Sequence, residues 1–323
     1  MQCTICPRNC NLDEGQIGFC HVRKNVGGEI KLRTYGYNTG LVVDPIEKKP
    51  LYHFYPSSKI LSFGTLGCNM GCRFCQNHHL SRSKGEPSEL NADKPNEIAQ
   101  VALKEGCKSV GFTYNEPTIF FEYAIDTAFE CHKLNVKTVA VSAGYINPEA
   151  REEFFAQMDA TNIDLKGFSE EFYKKCCFAE LAPVLETIKY VKRETNCWLE
   201  LTTLLIEGEN DSDEMLKRQC DWILEELGPS VPLHFSAFYP MYKMKDKPPT
   251  KVETVLRARD IAREAGLRYV YCGNIVDHES SITYCHHCGE GIIKRTGREV
   301  AEYNLEGGGH CKFCGTLCAG IFE

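Results

Sequence analysis

The chain has 323 residues, 43% of them hydrophobic and 25% charged, with a formal net charge of −7 at pH 7. That is an ordinary soluble globular composition, long enough for one large domain with small appendages. No apolar run approaches the ~18 residues of a membrane span, the first residues lack the basic and apolar regions of an export signal, and no basic run marks a nucleic-acid face. A cytoplasmic location is expected, with neither membrane nor nucleic acid as a partner.

Nineteen cysteines stand out against this background. In a small secreted chain they would mean disulfides; in a long chain without an export signal, metal and cluster ligation is the better reading. Eleven fall into three clusters. The other eight (Cys107, Cys131, Cys176, Cys177, Cys197, Cys220, Cys272 and Cys318) read as small buried hydrophobes. Such free use of reduced cysteine fits an anaerobic or strongly reducing cytosol.

Three zones follow one another: a cysteine-rich N-terminal segment over residues 1–56, a core over 57–276, and a glycine- and cysteine-rich tail over 277–323. The first opens on Cys3-x2-Cys6-x3-Cys10-x9-Cys20. Four thiolates over this span can close a tetrahedral zinc site or hold an auxiliary iron–sulfur cluster. Zinc is preferred, because nothing else in the segment suggests electron transfer. Glycines and two proline-containing turns, Asp44-Pro45 and Lys49-Pro50, complete the zone.

The core reads as alternating strands and helices. Strands are expected at 59–64, 109–113, 137–141, 160–165, 198–204, 232–238 and 267–272. Helices are expected at 95–105, 118–133, 148–157, 170–176, 182–194, 213–227 and 252–265. Such alternation implies an α/β fold with a parallel sheet and right-handed crossovers, either open or wound as a full or partial TIM-type barrel. In both, functional residues gather at the C-terminal ends of strands.

Directly after the first core strand stands Gly67-Cys68-Asn69-Met70-Gly71-Cys72-Arg73-Phe74-Cys75. Three closely spaced thiolates would hold three irons of a [4Fe–4S] cubane and leave the fourth open. The competing reading is part of a zinc site completed by His78 or His79. The spacing C-x3-C-x2-C, with an aromatic before the last cysteine, resembles the signature of the radical S-adenosylmethionine (radical SAM) enzymes. The resemblance implies that the open iron chelates SAM, which is cleaved to methionine and a 5′-deoxyadenosyl radical that abstracts hydrogen.

Later strand ends carry further matches. Tyr114-Asn115-Glu116-Pro117 stands where radical SAM activases of glycyl radical enzymes have Gly-Gly-Glu-Pro, and it departs from that run at Tyr114-Asn115. Ser142-Ala143-Gly144 is similar to the Thr-Asn-Gly run near the SAM ribose and carboxylate, and Asp164-Leu165-Lys166 looks like the family's Asp-Leu-Lys. His234 matches a histidine that faces the nucleoside in relatives. The resemblance thus implies SAM contacts from Asn115, Glu116, Ser142, Asp164, Lys166 and His234. Glu200 and Thr202 alternate along one strand and so share a face. Tyr114, Tyr145, Tyr239, Tyr242 and Tyr271 lie near strand ends, either as walls of a substrate pocket or as aromatic core.

The tail carries two C-x2-C-G knuckles, Cys285/Cys288 and Cys311/Cys314. They read as a zinc ribbon, or a rubredoxin-type iron site with the same ligands. A segment this small folds around its metal, whose binding is worth ~10–16 kcal/mol. Four Lys/Arg against seven Asp/Glu in 277–323 make it a structural or docking ribbon, not a nucleic-acid binder.

With the N-terminal Cys-x2-Cys-Pro-Arg-x-Cys segment, Thr-Tyr-Asn-Glu-Pro, the run Tyr271-Cys272-Gly273-Asn274 and the two-knuckle tail, the whole chain resembles the AmmeMemoRadiSam-system radical SAM enzymes, relatives of pyruvate formate-lyase activating enzymes. That resemblance implies a partial (β/α) barrel and Memo-type and AMMECR-type partner proteins. It also implies an electron donor such as flavodoxin or ferredoxin, and a small-molecule or protein substrate of unstated identity. Two alternatives stand beside it: a glycyl radical enzyme activase, and a non-enzymatic iron–sulfur and zinc scaffold or electron carrier.

Overall fold

A computed structural model describes residues 1–323. Eight strands form its main sheet: β1 (Val42–Pro45), β2 (Lys59–Phe63), β3 (Ser109–Phe112), β4 (Lys137–Ser142), β5 (Ala160–Asp164), β6 (Trp198–Leu205), β7 (Leu233–Ala237) and β8 (Val270–Gly273). They lie side by side in chain order. Strands β2 to β8 are parallel, and β1 runs antiparallel to β2. Strand order decides between the two expected windings. A doubly wound sheet reverses at a switch point, whereas a sheet that always adds the next strand on the same side curls into a barrel. Because β1 and β8 do not pair, the barrel is partial.

Strand β1 is not among the seven strands expected. Asp44-Pro45 reads as a turn, yet a proline on an edge strand costs no ladder hydrogen bond, and Pro45 pairs with Lys59. The crossover helices are α1 (Pro95–Lys104), α2 (Phe121–Lys133), α3 (Pro148–Phe155), α4 (Leu181–Glu194), α5 (Asp213–Leu227) and α6 (Val252–Ala265). The helix expected over 170–176 is instead one α-turn, Glu170–Phe172, that widens into a π-turn over Tyr173–Cys177 and ends with Phe178 at φ +54°.

Register puts Asn162 beside Glu200, and Asp164, Thr202, His234 and Tyr271 in one row across β5 to β8. Alternation sends their neighbours Ile163, Leu201, Leu233 and Phe235 to the other face, into the main core with the helices. Over these rows the concave side of the sheet is polar and the convex side apolar.

The segment after β1 stops the N-terminal mouth of the barrel. Ile46, Leu51 and Phe54 pack there against Ile60, Val139 and Ala160. Just above, the fully buried Glu200 carboxylate accepts hydrogen bonds from the backbone N–H of Tyr52 (3.0 Å) and His53 (2.8 Å) and from Trp198 Nε1 (3.1 Å). It also lies 2.7 Å from His234 Nε2.

The tail docks on this plug. Its hairpin, β9 (Gly291–Thr296) with β10 (Glu299–Tyr303), places Ile292 and Ile293 in a second core with Tyr52, Tyr269 and Tyr271. A chain of hydrogen bonds crosses the junction. Arg295 Nη1 donates to Thr283 Oγ1 (2.9 Å), Thr283 to the Tyr271 hydroxyl (2.8 Å), Tyr271 to His53 Nε2 (2.5 Å), and His53 Nδ1 to the Ala319 carbonyl (2.6 Å). The chain requires a neutral His53. Burial drives its pKa from 6.5 down to about 4. A lowered histidine pKa means the unfolded chain takes up the proton first as pH falls, so the stabilisation is complete above pH 6.5 and is lost toward pH 4. Urea unfolding between those pH values is expected to show a loss of about 3 kcal/mol. A flat profile there would contradict a buried neutral His53.

Candidate active site

Residues 64–77 leave the C-terminal end of β2 and arch over the open mouth of the barrel. Gly67 sits at φ +83°, and a Cβ there would stand 2.0 Å from the Cys20 carbonyl oxygen, so only glycine fits. Backbone bonds from Gly71 N to Cys177 O and from Arg73 N to Cys176 O, each 2.9 Å, tie the loop to the π-turn after β5.

Within this frame Cys68, Cys72 and Cys75 line a cavity of about 270 Å³, and no other cysteine lines it. Asn115, Glu116, Asp164, Lys166, Thr202 and Ser236 lie on its wall. Lys166 Nζ is 2.8 Å from Asp164 Oδ2. Burial works against its charge, but Asp164 and the Cys72 and Cys177 sulfurs prevail and hold its pKa well above that of a free lysine. The site therefore offers a fixed cation beside the thiols. Burial pushes the Cys68 thiol well up. A hydrogen bond from Cys177 and the nearby Lys166 charge hold Cys72 below the usual thiol range in spite of burial.

Two of the expected cofactor contacts are spent on the protein itself. The Asn115 side chain accepts from Thr65 N (2.9 Å) and donates to the Leu66 and Gly67 carbonyls (3.1 and 3.0 Å), so it anchors the start of the cysteine loop. Ser142 does not line the cavity; its hydroxyl donates to Glu116 Oε1 (2.7 Å) and accepts from Gly144 N (3.0 Å). Glu116 also accepts from Ala143 N (2.7 Å) and Thr118 N (3.2 Å), although burial raises its pKa. The carboxylate thereby joins the end of β3 to the turn after β4.

His234 is not brought to this cavity. It pairs with Glu200 and meets Tyr52 edge-on at 4.8 Å, on the wall of an adjoining cavity of about 370 Å³ that shares Thr202, Ser236 and Asn274 with the first. Of the five tyrosines, only Tyr114 lines the thiol cavity. Tyr145 and Tyr271 are buried, Tyr239 is exposed, and Tyr242 stacks on His78 at 4.8 Å. Tyr114 takes φ +68°, a conformation natural to glycine. Its carbonyl is held by Asn77 Nδ2 (2.8 Å). Sequence reading missed both Asn77 and Cys177, since each acts across a contact between distant loops.

The four tail cysteines Cys285, Cys288, Cys311 and Cys314 form one compact group, all sulfurs within 4.8 Å. Cys285 and Cys314 are 3.6 Å apart, and Cys288 and Cys311 3.8 Å. Tetrahedral zinc with Zn–S bonds near 2.3 Å requires about 3.8 Å between sulfurs. No helix is long and apolar enough to cross a membrane.

A family model described as the Radical SAM superfamily matches residues 63–220. An uncharacterised protein of Methanocaldococcus jannaschii is 41% identical over 98% of this chain and 94% of its own length. The 4-hydroxyphenylacetate decarboxylase activating enzyme of Clostridioides difficile is 29% identical over 32% of this chain; the chain spans about a third (34%) of that relative. Among solved structures, Streptococcus suis SuiB bound to S-adenosylmethionine is similar in fold, with a TM-score of 0.53 at 14% identity, covering 70% of this chain and 52% of that one.

Proposed function

The chain belongs to the radical SAM superfamily, and we propose that Cys68, Cys72 and Cys75 hold a [4Fe–4S] cluster at which SAM is cleaved to begin hydrogen abstraction from a substrate. When bound, the cluster supplies the electron that breaks SAM into methionine and a 5′-deoxyadenosyl radical. The observation that carries this is three thiols, without a fourth, converging on a cavity that also holds a lysine. Three thiolates leave one iron open, and a buried ammonium can hold the carboxylate of SAM. Lys166 takes that part, with Asp164 orienting it. Glu116 and Ser142 shape the turn at the end of β4, and Asn115 positions the cysteine loop. The adjoining cavity, with His234 on its wall, is the place for substrate. An electron donor of the flavodoxin or ferredoxin class completes the system.

Anaerobic reconstitution with iron, sulfide, dithionite and SAM tests this reading. 5′-Deoxyadenosine is expected; its absence from fully loaded protein would leave a metal scaffold or electron carrier in its place. Lys166→Met, in the same preparation, is expected to raise the dissociation constant for SAM by about 10- to 100-fold, the value of one charge-assisted hydrogen bond. Equilibrium dialysis reads this directly, and an unchanged constant would remove Lys166 from the SAM site.

The similarity to an activating enzyme over 106 residues favours a second reading, in which the substrate is a backbone glycine of a partner enzyme. A glycyl radical signal in electron paramagnetic resonance, formed on a purified partner, would select it. The AmmeMemoRadiSam resemblance points instead to Memo-type and AMMECR-type partners, which co-purification tests. For the tail, the sulfur spacing fits a single tetrahedral ion, zinc or rubredoxin-type iron.

A further inference from the structure

Cys3, Cys6, Cys10 and Cys20 surround a second cavity, together with Arg8, Arg23, Asn69 and Ile119. Zinc and an iron–sulfur cluster are both chemically open to four thiolates, and the three cysteine clusters of this one structure discriminate between them. At the tail, four sulfurs crowd within 4.8 Å, as a single ion demands. Neither the triad nor the N-terminal set gathers three sulfurs within that distance. The N-terminal thiols instead stand around a small void of about 20 Å³. A cubane binds each thiolate at a different corner and so holds its ligands further apart than a single ion does.

The surroundings agree. Arg23 is 3% exposed and donates to the Ile119 carbonyl (2.9 Å) and to Glu122 (2.5 and 2.7 Å). Arg8 bridges the Asn69 and Phe178 carbonyls and lies over the Phe19 ring. Arg23 is matched by Glu122, which leaves the Arg8 guanidinium at the wall to offset the negative charge of a tetrathiolate cluster. The oxygen of the Asn69 side chain is buried with no partner. Asn69 lies in the triad loop itself, next to Cys68, and Gly67 packs directly on Cys20.

We propose that Cys3, Cys6, Cys10 and Cys20 bind a second, fully ligated [4Fe–4S] cluster against the triad loop. The comparison of spacings rests on the proposed reading of the triad. The test is a triad-free chain, Cys68→Ala with Cys72→Ala and Cys75→Ala, reconstituted anaerobically with ferrous iron and sulfide beside the unaltered protein. The triad-free chain is expected to keep about half of the iron and acid-labile sulfide, and to give a cubane resonance after dithionite that SAM does not change. Cys6→Ala with Cys20→Ala is expected to lose the other half and to keep a resonance that SAM does shift. A triad-free chain with no iron or sulfide and with twice the zinc of the tail alone would overturn the proposal. Should the second variant fail to fold, the triad-free chain still decides the matter. Failure of the radical SAM reading shows differently, as unaltered protein with full iron that makes no 5′-deoxyadenosine.

Discussion

Cys72→Ala is expected to abolish 5′-deoxyadenosine formation, down to the level of a control without protein, and to lower iron by about four atoms per chain. The tail metal is expected to remain. The selectivity of this loss comes from the backbone. Gly71 and Arg73, on either side of Cys72, are held to the π-turn by their N–H groups and not by the sulfur. Removing the sulfur therefore leaves the loop in place, and far-ultraviolet circular dichroism should not change. The mouth then presents two thiols where a site-differentiated cubane needs three. Cys285, Cys288, Cys311 and Cys314 form a separate group on the tail. An iron content unchanged in Cys72→Ala would mean that the triad is not the ligand set.

The second large effect is structural. Glu200→Ala is expected to cost about 4 kcal/mol, a large part of the 5–15 kcal/mol that usually separates folded from unfolded chains. Glu200 is buried, and four groups turn to its two oxygens: two plug N–H groups, the Trp198 indole and His234. Without the carboxylate these donors lose their acceptor, in a place water does not reach. His234, Tyr52 and His53 belong to the plug and its docking surface, so the tail should loosen in the same step. Thermal unfolding with exchange protection of the 53–55 and 321 amides reads both. Glu200→Gln keeps the shape and one acceptor oxygen, and should lose roughly half as much. A Glu200→Ala chain within about 1 kcal/mol of the unaltered protein would show that the plug stands without it.

Much of the core was legible because its signals are local. Six of the seven expected helices are helices within a few residues of their expected bounds, since apolar periodicity and caps are properties of the helix itself. The seven expected strands also stand, and strict alternation with helices announces their parallel pairing. Strand β1 was hidden by Pro45, which edge position makes harmless. The π-turn after β5 was hidden because its purpose is to dock the triad loop, a contact the segment's own pattern does not display.

The candidate site divides in the same way. Asp164 and Lys166 were readable as a strand-end pair, and they meet at the cavity two residues apart in the chain. Asn115 and Ser142 were readable as polar strand-end residues but not in what they hold. Their partners, Thr65 to Gly67 and Glu116, come from other β-α units. His234 was placed with SAM on resemblance, whereas it stands beside Thr202 in the sheet and its ring turns to Glu200, toward the plug and the second cavity.

By itself the sequence set out the candidate ligands: three thiols in one short loop, four on two knuckles, four more in the first twenty residues. Spacing within a loop is set by bond lengths and turn geometry, so it needs no fold to be read. The tertiary structure decided what each set surrounds and what stands behind it. It drew the tail sulfurs to single-ion spacing, left the N-terminal ones apart beside the triad, and built the Glu200 and His53 networks from residues as far as 266 positions apart. Those arrangements depend on strand register and on the docking of distant segments, which exist only once the sheet has wound.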